Sequence, residues 1–141
     1  MEAADIIVLI EDNDDDSIMF ERAVAASHCH AVLRRAASVQ EAIDAIKAGM
    51  RPRLVFLDLF LPNLGGVHFL KWIRAQPDCQ CIPLIVFIGM IRRQTMTDLC
   101  ALGANAVMVK PIDYDQLTEG IGVACKFWLN FCVPPRGFGE D

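Results

Sequence analysis

Five short apolar runs, each followed by a stretch with helical periodicity, confine this chain to very few architectures. The runs are Ile6–Ile10, Ala31–Ala37, Leu54–Leu57, Pro83–Ile88 and Ala106–Val109. Strict alternation of strand and helix patterns implies a parallel sheet, because parallel neighbours need a long crossover, with helices on both faces. Ile6–Ile10 and Leu54–Leu57 are apolar throughout rather than alternating, as expected of strands covered on both sides. Right-handed crossovers then favour an α/β, flavodoxin-like, doubly wound five-stranded parallel sheet. Its strand order is 2-1-3-4-5, with five helices. Arg34-Arg35 interrupt the second run and place it at a sheet edge.

The helices follow from capping and spacing. The first starts in the Asp-rich stretch Asp14–Asp16, where carboxylates suit the positive end of a helix dipole, and carries Phe20, Ala23 and Val24 inward. Ser38-Val39-Gln40-Glu41 reads as a capping box, with Val39, Ala42, Ile43 and Ile46 buried and Gly49 as the stop. Past a Pro62 and Gly65-Gly66 loop, Val67–Ala75 turns Phe69, Leu70 and Ile73 inward. The fourth helix runs from about Arg92 to Leu102 and buries Met96, Leu99 and Cys100. The last opens at Asp113, with Gln116 as capping partner, and buries Leu117, Ile121, Ala124, Trp128 and Phe131. Val123, Phe127 and Leu129 lie off that stripe, so this helix is apolar all round and calls for cover on a second side.

Charge and composition exclude several functions. A net charge of −5 opposes nucleic-acid binding, which needs a basic face to displace counterions. No apolar stretch reaches the roughly 18 to 20 residues of a membrane span. The acidic start Met1-Glu2-Ala3-Ala4-Asp5 is no signal peptide, so the expected location is cytoplasmic, with the six cysteines as reduced thiols. Cys79-Gln80-Cys81 has the wrong spacing for a zinc knuckle, and His28-Cys29-His30 lacks a second ligand pair in sequence.

The topological switch point of this strand order lies between strands one and three, where ligands bind beyond the strand C-termini. Those strands end in Glu11-Asp12 and in Asp58, and the fifth ends in Lys110-Pro111. Three carboxylates and an ammonium thus meet at one edge. Such a group suits Mg²⁺, which takes oxygen ligands and keeps several waters. Asp12 and Asp58 fit as direct ligands, with Glu11 bound through water. A carboxylate beside a divalent ion can accept a phosphoryl group, whose oxygens Lys110 would neutralise. The Lys110–Pro111 bond is a candidate for cis geometry that would re-aim the lysine.

Glu11-Asp12-Asn13 after Val8-Leu9-Ile10, then Asp58-Leu59-Phe60-Leu61-Pro62-Asn63-Leu64-Gly65-Gly66, then Val109-Lys110-Pro111, resemble the receiver domain of two-component response regulators. The likeness covers about residues 5 to 125. It implies that Asp58 is the phosphoacceptor, self-phosphorylating from a sensor histidine kinase rather than acting as a true enzyme. It also implies that Asp12, Asp58 and the Phe60 carbonyl bind Mg²⁺, that Glu11 is the second pocket acid and that Lys110 senses phosphate. Residues 1–133 would form the receiver domain and 134–141 a flexible tail. Cys125-Lys126-Phe127-Trp128-Leu129 resembles the ending of stand-alone regulators paired with bacterial phytochromes, which implies such a kinase as partner. A homodimer through the fourth and fifth helices and the fifth strand is expected, with output by protein contacts.

Two positions depart from that family pattern. Ile88-Gly89 stands where a Ser or Thr and a small residue are usual, and Val107 stands where the aromatic switch residue is usual. Thr95 and Thr97 lie in the next helix and do not replace the hydroxyl. The alternative is therefore a phosphorylation-independent dimerising or docking module. A haloacid dehalogenase-type hydrolase needs an acid where Phe60 stands, and a flavin carrier needs a phosphate loop where Glu11-Asp12-Asn13-Asp14 would repel phosphate. Phe60 and Met90 are expected to flank the acceptor and shield it from water.

Overall fold

The structure, a computed structural model, describes residues 5–62, 65–89, 93–111 and 113–133. The tail assignment at 134–141 and the role given to Met90 lie outside them. Five strands, β1 (Asp5–Ile10), β2 (Ala31–Ala36), β3 (Leu54–Asp58), β4 (Leu84–Ile88) and β5 (Ala106–Val109), alternate with five helices. These are α1 (Asp14–Ala26), α2 (Val39–Lys47), α3 (Gly65–Ala75), α4 (Arg93–Ala101) and α5 (Tyr114–Cys125), the last continued by a π-helical segment, Lys126–Phe131. The sheet is parallel throughout with the order β2-β1-β3-β4-β5, the flavodoxin-like arrangement. No helix of the described residues is long and apolar enough to cross a membrane.

Alternation along the central strands divides the core into two layers. Val8, Ile10, Val55, Leu57, Val86 and Ile88 face α2, α3 and α4 through Ile43, Phe69, Ile73 and Leu99. Ile7, Leu9, Phe56, Ile85 and Phe87 face α1 and α5 through Phe20, Val24, Leu117 and Ile121. Phe20 anchors α1 by meeting Phe56 edge-on at 4.8 Å and Phe87 at 5.5 Å between ring centroids. Aromatic pairs at such angles gain energy beyond their buried area. The anchor fixes α1 directly beneath the loop that carries Glu11 and Asp12.

Several local expectations are corrected. Gly65 and Gly66 belong to α3 rather than to the loop before it. A Cβ on Gly66 would stand 2.6 Å from the Leu59 carbonyl oxygen, so only glycine lets the helix begin this close to the strand exit. On α4, Leu99 alone of the three expected residues is buried; Met96 and Cys100 are exposed. A nine-residue helix at the sheet rim covers too little of the core to bury a wider stripe. Glu41 does close the start of α2, but its carboxylate accepts from the Ala37 N–H, at 2.6 Å, one residue before the capping serine. The α5 cap is Asp113 accepting from Asp115, at 2.9 Å, without a contact to Gln116 among the bonds described.

The last helix departs most. Its change to i→i+5 bonding after Cys125 turns fewer degrees per residue than the α-helix. Residues beyond that point therefore leave the α-helical stripe. Phe131, expected inside, is 71% exposed, whereas Leu129, expected outside, packs on the α1/α5 layer beside Trp128 and Cys125. Val123 and Phe127 lie off the core stripe, as expected, and are exposed.

A buried arginine fastens this segment. Arg53, at the entry to β3, pairs with Asp5 Oδ1 at 3.1 Å and donates to the carbonyls of Trp128 and Leu129 at 3.2 and 3.1 Å. It thereby ties the start of β1 to the π-helical segment that follows α5. Cation donors suit such carbonyls, where helices leave partial negative charge.

Candidate functional site

Leu9 and Phe56 point toward α1 and α5, so alternation sends Glu11 and Asp58, each two residues on, toward the same side. On β5 the corresponding pair is Met108, in that layer, and Lys110. The Lys110 N–H donates to the Ile88 carbonyl at 2.7 Å, which holds the lysine at the sheet edge beside β4. Three strand ends therefore converge without any loop having to fold back. The peptide bonds described are all trans, so the Lys110–Pro111 bond is not cis and strand register alone aims the lysine.

Glu11 and Asp58 are buried, Asp12 is exposed, and each offers a carboxylate oxygen within 4.8 Å of the others. Among the described residues this is the one cluster of three potential metal ligands. All its donors are oxygens, which suits a hard divalent cation rather than a soft one. Lys110 Nζ lies 3.2 Å from Glu11 Oε1 and 3.4 Å from Asp58 Oδ2. Burial, with hydrogen bonding to Asp58 and its repulsion, pushes the Glu11 carboxyl up to about 7, although Lys110 pulls the other way. Burial works against the Lys110 ammonium, yet Asp58, Glu11 and Asp16 together hold its pKa above the usual value. One ammonium does not balance the carboxylates, and a divalent cation would. The residues present fit Mg²⁺.

The Phe60 N–H donates to Asp58 Oδ1 at 3.1 Å, tying the Asp58 carboxylate to the loop that carries the Phe60 carbonyl. The Phe60 side chain is 67% exposed, at the rim. Ile88 is fully buried in the layer facing α2, α3 and α4, and Val107 packs against that same layer. Neither presents a hydroxyl or an aromatic ring to the acid pocket.

Two contributors escape a reading of sequence motifs. Asp16 Oδ2, in the first turn of α1, lies 3.5 Å from Lys110 Nζ. Its position four residues before the buried Phe20 is a signal that it faces the sheet. Arg35 on β2 donates to the Glu11 carbonyl at 3.0 Å and pairs with Asp14 at 2.8 Å, bracing the acidic loop. On the α1 side, Leu9, Phe20, Phe87 and Leu117 wall a cavity of about 70 Å³ that opens onto Glu11, Asp58 and Lys110. That apolar wall is the source of the desolvation felt by Glu11.

The sequence profile of the response regulator receiver domain matches residues 7–122. The probable methanogenesis regulatory protein FilR2 of Methanothrix harundinacea is 25% identical over 142 residues, covering 96% of this chain and 92% of that protein. Among solved structures, the phosphorylated cyanobacterial phytochrome response regulator RcpA superposes with a TM-score of 0.85 at 27% identity. That match covers 94% of this chain and 99% of the other. The Mn²⁺-bound response regulator Rcp1 shares the fold, with a TM-score of 0.80 at 24% identity over 93% and 99% of the two chains.

Proposed function

The chain belongs to the response regulator receiver domain family, and we propose that it accepts a phosphoryl group on Asp58 from the phosphohistidine of a sensor kinase. The observation that carries this reading is the meeting of Glu11, Asp12 and Asp58 within 4.8 Å, with Lys110 3.4 Å from Asp58. Asp12, Asp58 and the Phe60 carbonyl would hold Mg²⁺, with Glu11 bound through water. When bound, the ion offsets charge between the incoming phosphoryl oxygens and the carboxylates. An Asp58 oxygen attacks phosphorus, the P–N bond to imidazole breaks, and the leaving nitrogen takes a proton. Lys110 then faces the new phosphoryl oxygens, and the Phe60 amide keeps the Asp58 carboxylate oriented. The kinase is a bacterial phytochrome in this reading, supported by the likeness to RcpA over 94% of this chain, and the setting is cytoplasmic.

Intact-mass spectrometry after incubation with phosphoramidate and Mg²⁺ tests the reading. A phosphoryl adduct on the wild type and none on Asp58→Asn is the expected result. Ile88 and Val107 favour a second reading, a docking module that needs no phosphate. An unmodified wild type would support it.

The phosphorylated form is expected to be long-lived. Phe60 is apolar and two residues past the acceptor, so it offers an attacking water no hydrogen bond. Phe60→Asn should speed phosphoryl loss about tenfold, because orienting a water contributes less than transferring its proton. Equal lifetimes for the two proteins would remove this role.

Output is proposed to run through a homodimer using α4, β5 and α5. β5 is a sheet edge. Beside it Met108, Val123, Phe127 and Trp128 line an open, largely apolar groove of about 490 Å³. A two-fold contact would place the same patch on both subunits. With no hydroxyl or aromatic ring to relay phosphorylation, dimerisation should depend little on Asp58. Light scattering should give a dimer for the wild type and a monomer for Phe127→Glu. A monomeric wild type, or a variant that stays dimeric, contradicts the proposal.

A further inference from the structure

The geometry points to Asp16 as a positioning residue that competes with the Asp58 phosphoryl group for the Lys110 ammonium. This rests on the phosphoacceptor reading above and deepens it. Lys110 Nζ stands among three carboxylates, Glu11 at 3.2 Å, Asp58 at 3.4 Å and Asp16 at 3.5 Å. The three do not have equal prospects. Asp58 is the group that changes, and Glu11 and Asp58 both belong to the cluster that fits a cation. Asp16 lies outside that cluster, on α1, and remains an unliganded carboxylate facing the lysine when the cation site fills.

Its position is fixed at both ends. The Asp16 N–H donates to the Asn13 side chain at 2.9 Å, which holds the first turn of α1. Phe20, one turn later, locks the helix against Phe56 and Phe87. The backbone that carries the carboxylate cannot drift from the lysine without moving α1. The carboxylate is half exposed, so its hold on Lys110 is that of a surface ion pair, weak but directional. In this pocket no serine or threonine stands at Ile88 to bond a phosphoryl oxygen. Among the described residues Lys110 is therefore the main cationic side-chain partner that a phosphoryl group would gain, and a carboxylate that detains it matters more than in a pocket with a second donor.

Two measurements on the full chain test this. The first labels the four lysines as ¹³C-dimethyl groups and follows them by NMR. Asp16→Asn should shift the Lys110 signal modestly without Mg²⁺ and more with it, leaving Lys47, Lys71 and Lys126 in place. The second measures the fraction phosphorylated by phosphoramidate at a fixed, sub-saturating concentration. Asp16→Asn should raise the ratio of phosphorylated to free protein about two- to fivefold, the range of an exposed ion pair, and Asp16→Glu should return it toward wild type. The same gain in a Lys110→Gln background would overturn the proposal, since the effect would then bypass the lysine. So would a Lys110 signal indifferent to Asp16→Asn. If no protein is phosphorylated, the phosphoacceptor reading fails, whereas the NMR arm still decides whether Asp16 holds the lysine.

Discussion

Asp12→Ala is expected to weaken Mg²⁺ binding at least tenfold and to slow phosphorylation of Asp58 roughly a hundredfold or more, since a divalent ion supplies several kcal/mol of charge stabilisation. Asp12 is the exposed member of the acidic cluster, so its removal leaves neither a cavity in the core nor a buried orphan. The fold should survive, and the loss should fall on the chemistry. Glu11 and Asp58 stay behind with Lys110, a set that one ammonium already partly neutralises, and the pull on a cation falls accordingly. Calorimetric titration with Mg²⁺ and phosphoramidate labelling check both halves. Unchanged labelling in the variant would remove the assigned pocket.

The same titration has a pH signature. Glu11 is held protonated up to about pH 7 by burial and by Asp58, so below that value a cation must displace a proton. One proton per ion makes the apparent Mg²⁺ affinity fall up to tenfold per pH unit below about 7 and level off above it. An affinity independent of pH from 5 to 8 would mean that Glu11 does not take part.

The order of the strands and the place of the pocket were legible because both follow from strong, local signals. A continuous apolar run such as Leu54–Leu57 marks a central strand, and a charge directly after it marks the rim. Period-two alternation then sends Glu11, Asp58 and Lys110 to the same side, which spacing along the chain already encodes. Three kinds of feature were not legible. Asp16 reaches Lys110 only through the docking of α1 by its phenylalanine cluster, a contact across 94 residues that no short motif records. Phe131 and Leu129 exchanged inside for outside because the helix changes its bonding after Cys125. A pattern assumed to repeat every 3.6 residues misplaces everything beyond such a change. Met96 and Cys100 failed for a third reason. Their spacing is helical, but α4 touches the core through Leu99, and a periodic stripe says nothing about how wide a surface is available to cover it.

Arg53→Met should destabilise the protein by about 2 to 4 kcal/mol, the cost of breaking a largely buried ion pair reduced because one partner is accessible. Arg53 is 6% exposed, and its fork serves Asp5 and the carbonyls of Trp128 and Leu129 at once. Methionine matches the apolar stem and fills the space, so the effect reports the lost polar contacts more than a cavity. Asp5, about one-third exposed, can be rehydrated. The two carbonyls lie where the chain leaves regular α-helix, and nothing else in the described bonds serves both. The Arg53 backbone N–H to Ile6 carbonyl bond, at 2.8 Å, survives substitution, so the sheet should remain paired while residues 126–131 loosen. Urea denaturation should show the lower midpoint, and amide exchange should quicken in 126–131 far more than in β3. Arg53→Lys should recover only part of the loss, since a single ammonium lacks the planar fork that spans three acceptors. Because Phe127 and Trp128 sit in this segment, with ring centroids 4.9 Å apart, loosening it should also weaken a dimer built on that face. A variant with wild-type stability and an undisturbed 126–131 segment would show that side-chain packing alone, through Leu129 and Trp128, holds that segment.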